Sequence, residues 1–273
     1  IKGVEKSDAS REEWLLSFAE SEREKALEAC KLYDDAQALL ERAMWDEGAW
    51  IRAVLMIGEA YSMNDTVYVN EVPFAMLRQQ KKNERGVYMS LADFVVPQGV
   101  DKRDYVGAFA VTADAETRKE EYRRNDDAYS ALLLQSLLDR LAEGATEWLH
   151  EKVRKEYWGY AHDEVLSVEE MFAVKYRGIR PAVGYPSIPD QSVNFDLHQL
   201  LLKTEEIGIS LTENGLMLPN ASVAGLIFAH EESRYFAVGP VSNEQFEDYS
   251  QRRDMEPARA KKFLAANLLS DKK

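Results

Sequence analysis

Trp50-Ile-Arg-Ala-Val-Leu-Met56 and Asp65-Thr-Val-Tyr-Val69 decide the fold class of this chain. Both are rich in β-branched and aromatic residues, which suit a pleated, half-buried strand. Gly58 and the cluster Ser62-Met-Asn-Asp65 are turn formers and are expected to reverse the chain between them. Downstream, Tyr105-Val-Gly-Ala-Phe-Ala-Val-Thr112 reads as a buried strand, and Leu91-Ala-Asp-Phe-Val-Val96 is ambiguous. A late group follows: Ile207-Gly-Ile-Ser210, Ser222-Val-Ala-Gly-Leu-Ile-Phe228 and Arg234-Tyr-Phe-Ala-Val238. Strands joined by hairpin-length turns, with helices before and after, predict an α+β fold with a mainly antiparallel, twisted sheet flanked by helices.

The helices announce themselves by period. Ser10, followed by Glu12 and Glu13, resembles a helix start. From Glu22 to about Glu47, Ala26, Ala29, Leu32, Tyr33, Ala36, Leu39, Leu40 and Ala43 recur at three- and four-residue spacing. One long helix is expected from Glu116 to Trp158, with Leu134, Leu137, Leu138, Leu141, Ala145, Trp148, Leu149 and Val153 as its buried stripe. Ser136, Asp139, Glu143, Thr146 and His150 fall on the opposite face. Gly144 in mid-helix costs about 1 kcal/mol relative to Ala, which suggests a close approach there and draws attention to Glu143. A short helix is expected at Asp196–Leu202, and two more at Asn243–Arg253 and Pro257–Leu268, with Asn243 as an N-cap and Pro257 at a first helical position.

Composition narrows the function. The chain has 273 residues, 45 % of them apolar, as in an ordinary globular protein. A net charge of −14 repels nucleic acid and anionic membrane. The basic runs Lys152-Val-Arg154-Lys155 and Arg259, Lys261 and Lys262 read as scattered, solvated charges. No apolar run is long enough to span a bilayer. One cysteine, Cys30, excludes an intrachain disulfide, and four scattered histidines lack metal-ligand spacing, which fits a reducing, cytoplasmic setting. The chain opens at Ile1 without a Met, as a trimmed or excised segment would. There is no internal repeat or linker, so one domain over 1–273 is expected.

The candidate site is the stretch Tyr176-Arg-Gly-Ile-Arg180-Pro-Ala-Val-Gly184-Tyr185-Pro-Ser-Ile-Pro189-Asp190. Its three prolines exclude a regular helix or a central strand. A rigid loop of this kind can hold backbone N–H groups, a guanidinium and an aromatic ring in one arrangement, as a small-molecule site requires. A structural crossover carrying a surface arginine fits the same residues. Elsewhere there is no Gly-x-Gly-x-x-Gly, P-loop or nucleophile elbow. Asp196-Leu-His198-Gln-Leu-Leu201 begins like the Asp-x-His-x-x-Gly of cobalamin-binding domains, but Leu201 stands where the Gly is required, so His198 reads as an ordinary helix residue.

A series of blocks in order carries a resemblance. They are Leu91-Ala-Asp-Phe-Val95; Tyr105–Thr112; Asp139-Arg-Leu-Ala-Glu143; Leu149-His-Glu-Lys-Val-Arg-Lys155 with Tyr157-Trp-Gly-Tyr160; Gly178-Ile-Arg-Pro-Ala182 with Gly184-Tyr185-Pro; Ala221-Ser-Val-Ala-Gly225; and Ser233-Arg-Tyr-Phe-Ala-Val238. The tail Gln245-Phe-Glu-Asp-Tyr249 with Asn267-Leu also fits. From about Glu28 onward the chain resembles the C-terminal activation domain of cobalamin-dependent methionine synthase. The resemblance implies a domain that binds S-adenosylmethionine (AdoMet) and presents it to cob(II)alamin held by a cobalamin-binding domain. An electron from flavodoxin or another reductase then allows methyl transfer to cobalt. Such a domain would be part of a methyltransferase and would turn nothing over alone.

The resemblance also assigns residues. It implies that Arg180 binds the AdoMet carboxylate, that backbone at Ala182 and Gly184 contacts the ligand, and that Tyr185 lies toward the cobalamin. Tyr235 and Phe236 would line the site, and Glu143 would help to hold the ligand. The chemistry agrees: a guanidinium fork matches a carboxylate, a carboxylate can pair with the ammonium, and aromatic faces attract a sulfonium. The segment 1–27 departs from the family pattern. The Asp-Trp-x-x-Phe-Phe element is missing, with only Asp8 in its region; Val174 replaces a second acidic residue of some relatives, and Pro189-Asp190-Gln191 replaces a Pro-Glu-His. These departures leave a rival reading, a non-enzymatic docking module for a cobalamin or corrinoid protein whose AdoMet site has decayed. A free-standing AdoMet-dependent methyltransferase is a third reading, opposed by the missing Gly-rich loop after a first strand.

Overall fold

The hairpin read at 50–69 forms, with a longer first arm than expected. The structure, a computed structural model, describes residues 7–44 and 50–269. Strand β1 is Ile51–Met63, β2 is Thr66–Val69, and they pair antiparallel with Ala60 opposite Val69 and Met63 opposite Thr66. Gly58 does not turn the chain. It stays in the strand, where an added Cβ would lie 2.7 Å from the Asn70 side chain. The reversal falls instead at Asn64 and Asp65, both at positive φ, a conformation these two residue types tolerate. A second such reversal at Asn70 and Glu71 leads into β3 (Val72–Ala75), a strand the sequence reading missed because Pro73 argues against one. Proline is admissible there because β3 is the outermost strand.

β4 (Asp104–Ala113) forms as expected, while 91–96 yields only a 3-10 turn at Leu91–Phe94 capped by Ser90. β5 (Ser210–Leu211) and β6 (Met217–Leu218) make a small hairpin, and β7 (Ser222–Ile227) completes the main sheet. That sheet is antiparallel, in the order β3-β2-β1-β4-β7, with Gly107 opposite Ile227 and Thr112 opposite Ser222. Of the strand expected at 207–210, Ile207 ends a 3-10 turn (Thr204–Ile207) and only Ser210 is in a strand, as the start of β5; the one at 234–238 does not form. Residues 234–238 bond instead to the loop around Pro186: the Val238 N–H donates to Pro186 O at 2.9 Å.

The helices are α1 (Ser7–Leu16), α2 (Glu20–Met44), α3 (Glu116–Arg124), α4 (Ala128–Lys152), α5 (Val168–Phe172), α6 (Val193–Asp196), α7 (Asn243–Arg252) and α8 (Pro257–Leu264). The long helix expected at 116–158 is therefore interrupted between α3 and α4. Asp126 takes φ 54° there, which ends the first helical run. α4 runs on into a π-helical turn at Val153–Tyr157. α6 likewise continues into a π turn at Leu197–Leu202. α7 is capped by Ser242, not Asn243, because the Ser242 hydroxyl accepts the Gln245 N–H. Pro257 opens α8 as expected. Ser10 lies inside α1. The Asp8 side chain, and residues 45–47 where the predicted helix 22–47 would end, lie outside the described residues. Among the described residues no helix is long and apolar enough to cross a membrane.

The chain divides into two compact units, 1–50 with 113–141, and 51–112 with 142–273. The first is helical. Ala26, Cys30 and Leu39 of α2 are buried, whereas Leu32, placed in the stripe by period, is exposed. Arg11 grips Asp34 with two 2.8 Å bonds, and Tyr129 donates to Asp35 at 2.6 Å. The second unit is built on the sheet. In β4, Val106, Ala108 and Ala110 face one apolar cluster with Phe74, Leu91, Ile179, Leu226 and Phe228. Phe109 and Val111 face another with Leu149, Val153 and Ile227. Period-two alternation thus buries β4 on both faces, and Leu149 and Val153, at the C-terminal end of the α4 helical run, cover the second face.

Candidate functional site

The Pro-rich stretch is neither helix nor regular strand, as its prolines require, yet it is firmly held. Ile179 and Phe228 exchange two 2.9 Å backbone bonds, the Leu226 N–H donates to Pro181 O at 3.2 Å, and the Val183 N–H donates to Ala224 O at 2.9 Å. Residues 179–183 therefore lie along the outer side of β7. Pro181 has no N–H to offer, and its carbonyl does the pairing. Gly225 makes this possible: a Cβ there would sit 2.3 Å from Pro181 O and 2.9 Å from the Ala182 Cα. The chain then reverses through Gly184, at φ 85°, and a turn closed by Ile188 N–H to Tyr185 O at 2.9 Å. At the far end Asp190 is buried, accepting from the Ser192 N–H at 2.7 Å and the Tyr249 hydroxyl at 2.7 Å.

This backbone presents Arg180 beside α4. Its N–H donates to Tyr235 Oη at 3.0 Å, which brings two of the predicted site residues together. Its side chain is 17 % exposed and pairs with Glu147, whose side chain is 34 % exposed. Arg180 Nε is buried with no hydrogen-bond partner among the described residues. Ala182 sits against Gly225, Gly184 donates its N–H to Ile188 O at 2.8 Å, and the Tyr185 ring is 55 % exposed on the turn. Phe236 packs into the core and exchanges backbone bonds with the Ser187 hydroxyl. Glu143 is exposed on α4, one turn before Glu147. The close approach expected at Gly144 does not occur among the described residues, none of which comes within 4 Å of where its Cβ would be, its own helix backbone and chain neighbours aside.

Behind Arg180 lies a polar cluster that sequence reading missed. Thr146, His150 and Arg154 are buried, although Thr146 and His150 had been placed on the open face and Arg154 among solvated charges. Trp148, placed in the buried stripe, is 56 % exposed. The buried face is wider than the apolar stripe: Leu134, Leu138, Leu149 and Val153 are buried as expected, and ion pairs and rings cover the polar side chains beside them. Arg154 bonds to Glu164 at 2.6 and 2.8 Å and stacks over Tyr176 at 4.5 Å. His150 Nε2 lies 3.3 Å from Tyr160 Oη, and its ring meets Tyr176 edge-on. Tyr176 Oη is 3.5 Å from Tyr235 Oη. Burial, with the positive charges of Arg154 and Arg180, holds the His150 imidazole well below its ordinary range, so it is neutral. Burial also pushes the Tyr176 and Tyr160 phenols up, so both stay protonated. A signal was available: Glu147, His150 and Arg154 stand at i, i+3 and i+7, one helical face. A cavity of about 550 Å³ lined by Glu59, Tyr61, Asn70, Lys102 and Arg103 takes no part in this arrangement.

The arrangement suits an anionic group at Arg180, flanked by aromatic rings and an acidic helix face. A solved structure of the MetH reactivation domain bound to AdoHcy is similar to this chain, with 35 % sequence identity and a TM-score of 0.85 over 94 % of this chain and 84 % of that one. The family model described as the activation domain of vitamin B12-dependent methionine synthase matches residues 13–254, and the chain therefore belongs to that family.

Proposed function

We infer that this chain binds AdoMet and presents it to cob(II)alamin for reductive methylation, which reactivates cobalamin-dependent methionine synthase. The observation that carries the reading is Arg180: its backbone N–H donates to Tyr235, and its guanidinium is largely withdrawn from water, with Nε lacking a hydrogen-bond partner among the described residues. Such a group fits the ligand's carboxylate, since a buried donor left unmade is costly and a carboxylate satisfies it. AdoHcy in the similar reactivation domain supports the same ligand class. The sulfonium supplies the methyl group, a flavodoxin-like or other reductase the electron, and a cobalamin-binding partner domain the cobalt.

The chain's own residues bind and orient. Arg180 takes the carboxylate; backbone at Ala182 and Gly184 and the rings of Tyr235 and Phe236 flank the ligand; Glu143 faces the ammonium. Tyr185, exposed at the tip of the turn, would stand toward the cobalamin. The two compact units are read as one activation domain, supported by a family match that spans both.

Calorimetric titration of AdoMet into the wild-type chain and Arg180→Ala tests the reading. Saturable binding is expected, weakened in the variant by roughly 2–5 kcal/mol, the usual effect of removing one member of a desolvated charge pair. Equal binding by both proteins would remove Arg180 from the site. No binding by the wild-type chain would favour the docking-module reading, in which the departure over residues 1–27 has cost the ligand site.

A further inference from the structure

A guanidinium can serve two carboxylates at once, each on its own edge, because every terminal nitrogen carries two N–H groups. Arg78 does so in this structure. Asp65 accepts from its Nε at 2.9 Å and its Nη2 at 2.5 Å, and Asp93 from its Nη1 at 2.9 Å and its Nη2 at 2.6 Å. Arg180 is only part filled by comparison. Its Nη2 is paired with Glu147 Oε1, while Nε has no hydrogen-bond partner among the described residues. A ligand carboxylate can therefore join Arg180 with Glu147 still in place, and two anions then share one cation.

That sharing leaves the site net negative, in a place partly withdrawn from water where repulsion is screened less than at the surface. A second cation removes the excess. The ammonium of an amino-acid head group is bonded to the carbon next to its carboxylate, so a head group seated on Arg180 brings a cation to the acid on the same guanidinium. Glu147 can take it: its Oε1 accepts from Arg180, and its Oε2 has no hydrogen-bond partner among the described residues. We propose that Glu147 holds the ammonium of the ligand's head group, beside Glu143 one turn earlier on α4. This rests on reading Arg180 as the carboxylate anchor. Arg180 and Glu147 together then complement a zwitterion, and Glu147 is a specificity residue: it favours a head group with both charges over one that carries the carboxylate alone.

Calorimetric titrations of S-adenosylhomocysteine, and of its deamino analogue with hydrogen in place of the ammonium, test this in wild type, Glu147→Gln, Glu143→Gln and Arg180→Ala. Wild type is expected to prefer S-adenosylhomocysteine. In Glu147→Gln, which keeps the length and gives up the charge, that preference should fall about three- to tenfold, between the effect of a solvated ion pair and that of a charged hydrogen bond. Thermal melting checks that the variant is folded, and Glu147→Ala replaces it if it is not. Wild type that binds the deamino analogue as tightly as S-adenosylhomocysteine overturns the proposal, with no variant needed. An unchanged preference in folded Glu147→Gln overturns it as well, including the case in which Glu143→Gln loses the preference instead. If Arg180→Ala abolishes binding while Glu147→Gln keeps the preference, the role of Glu147 alone is wrong and the anchor stands. If wild type binds neither ligand, or Arg180→Ala binds both as wild type does, the reading of Arg180 fails and the role of Glu147 with it.

Discussion

At the scale of single residues, the chemistry concentrates where ionisable groups are taken out of water. His150 is the sharpest case. Its ring is buried against Tyr176 and Tyr160, with Arg154 and Arg180 nearby and Glu147 on its own helix face. Its folded pKa is depressed below the ordinary value of 6.5, so the unfolded chain takes up the proton first as pH falls. The neutral ring's contribution is thus fully present above pH 6.5 and is lost progressively below it. Replacing His150 with Gln should cost about 1–3 kcal/mol near pH 7 by urea unfolding, and the variant should lose less stability than wild type between pH 7 and 5. Equal pH dependence in the two proteins would place the titration elsewhere. Arg180 stands out in the sequence as one of two arginines among three prolines, and only the resemblance assigns it a ligand. Glu147 does not stand out, since a helical glutamate is solvated by default. His150 escapes the sequence reading because the buried face extends beyond the apolar stripe, and burial here follows charge pairing as well as hydrophobicity.

At the scale of elements, strands were read better than their limits. β4 and β7 came from β-branched runs that packing then confirmed on both faces. β3 was hidden by its proline, and Gly58 was mistaken for a turn because the close approach of Asn70 is not visible in sequence. The break between α3 and α4 rests on one aspartate at positive φ, which periodicity does not report. The contact between β7 and the site loop is the element-level feature with most at stake. Gly225→Ala would put a methyl group 2.3 Å from Pro181 O, backbone that has no room to give. A loss of about 1–3 kcal/mol in stability is expected, together with weaker AdoMet binding, because residues 181–182 must move. Calorimetry on a variant that melts like wild type but binds normally would show that the loop is not held from this side.

At the scale of the whole molecule, parts distant in sequence fix one end of the loop. Asp190, Asp196, Tyr249 and Arg253 meet in one buried network: Tyr249 donates to Asp190 at 2.7 Å, and Arg253 pairs with Asp196 and bonds to Ser192 at 2.9 Å. Burial raises the Asp196 carboxyl against the opposing pull of Arg253. Tyr249→Phe keeps the ring and strands a buried carboxylate oxygen, so about 1–3 kcal/mol should be lost in thermal unfolding. A variant as stable as wild type would mean that water or Arg253 replaces the phenol. None of this network was legible, because it joins residues about sixty positions apart. The resemblance to an activation domain carried that information indirectly, by naming blocks on both sides of it.

The seating of residues 179–183 along β7 has a further consequence. β7 is the terminal strand of the main sheet, and a bare terminal strand offers its N–H and C=O groups to any passing chain. Here that row is covered by the stretch that carries Arg180. The stretch is therefore a guard against self-association: whatever holds it on β7 keeps the sheet from recruiting a neighbour's strand, and whatever loosens it exposes a template for aggregation.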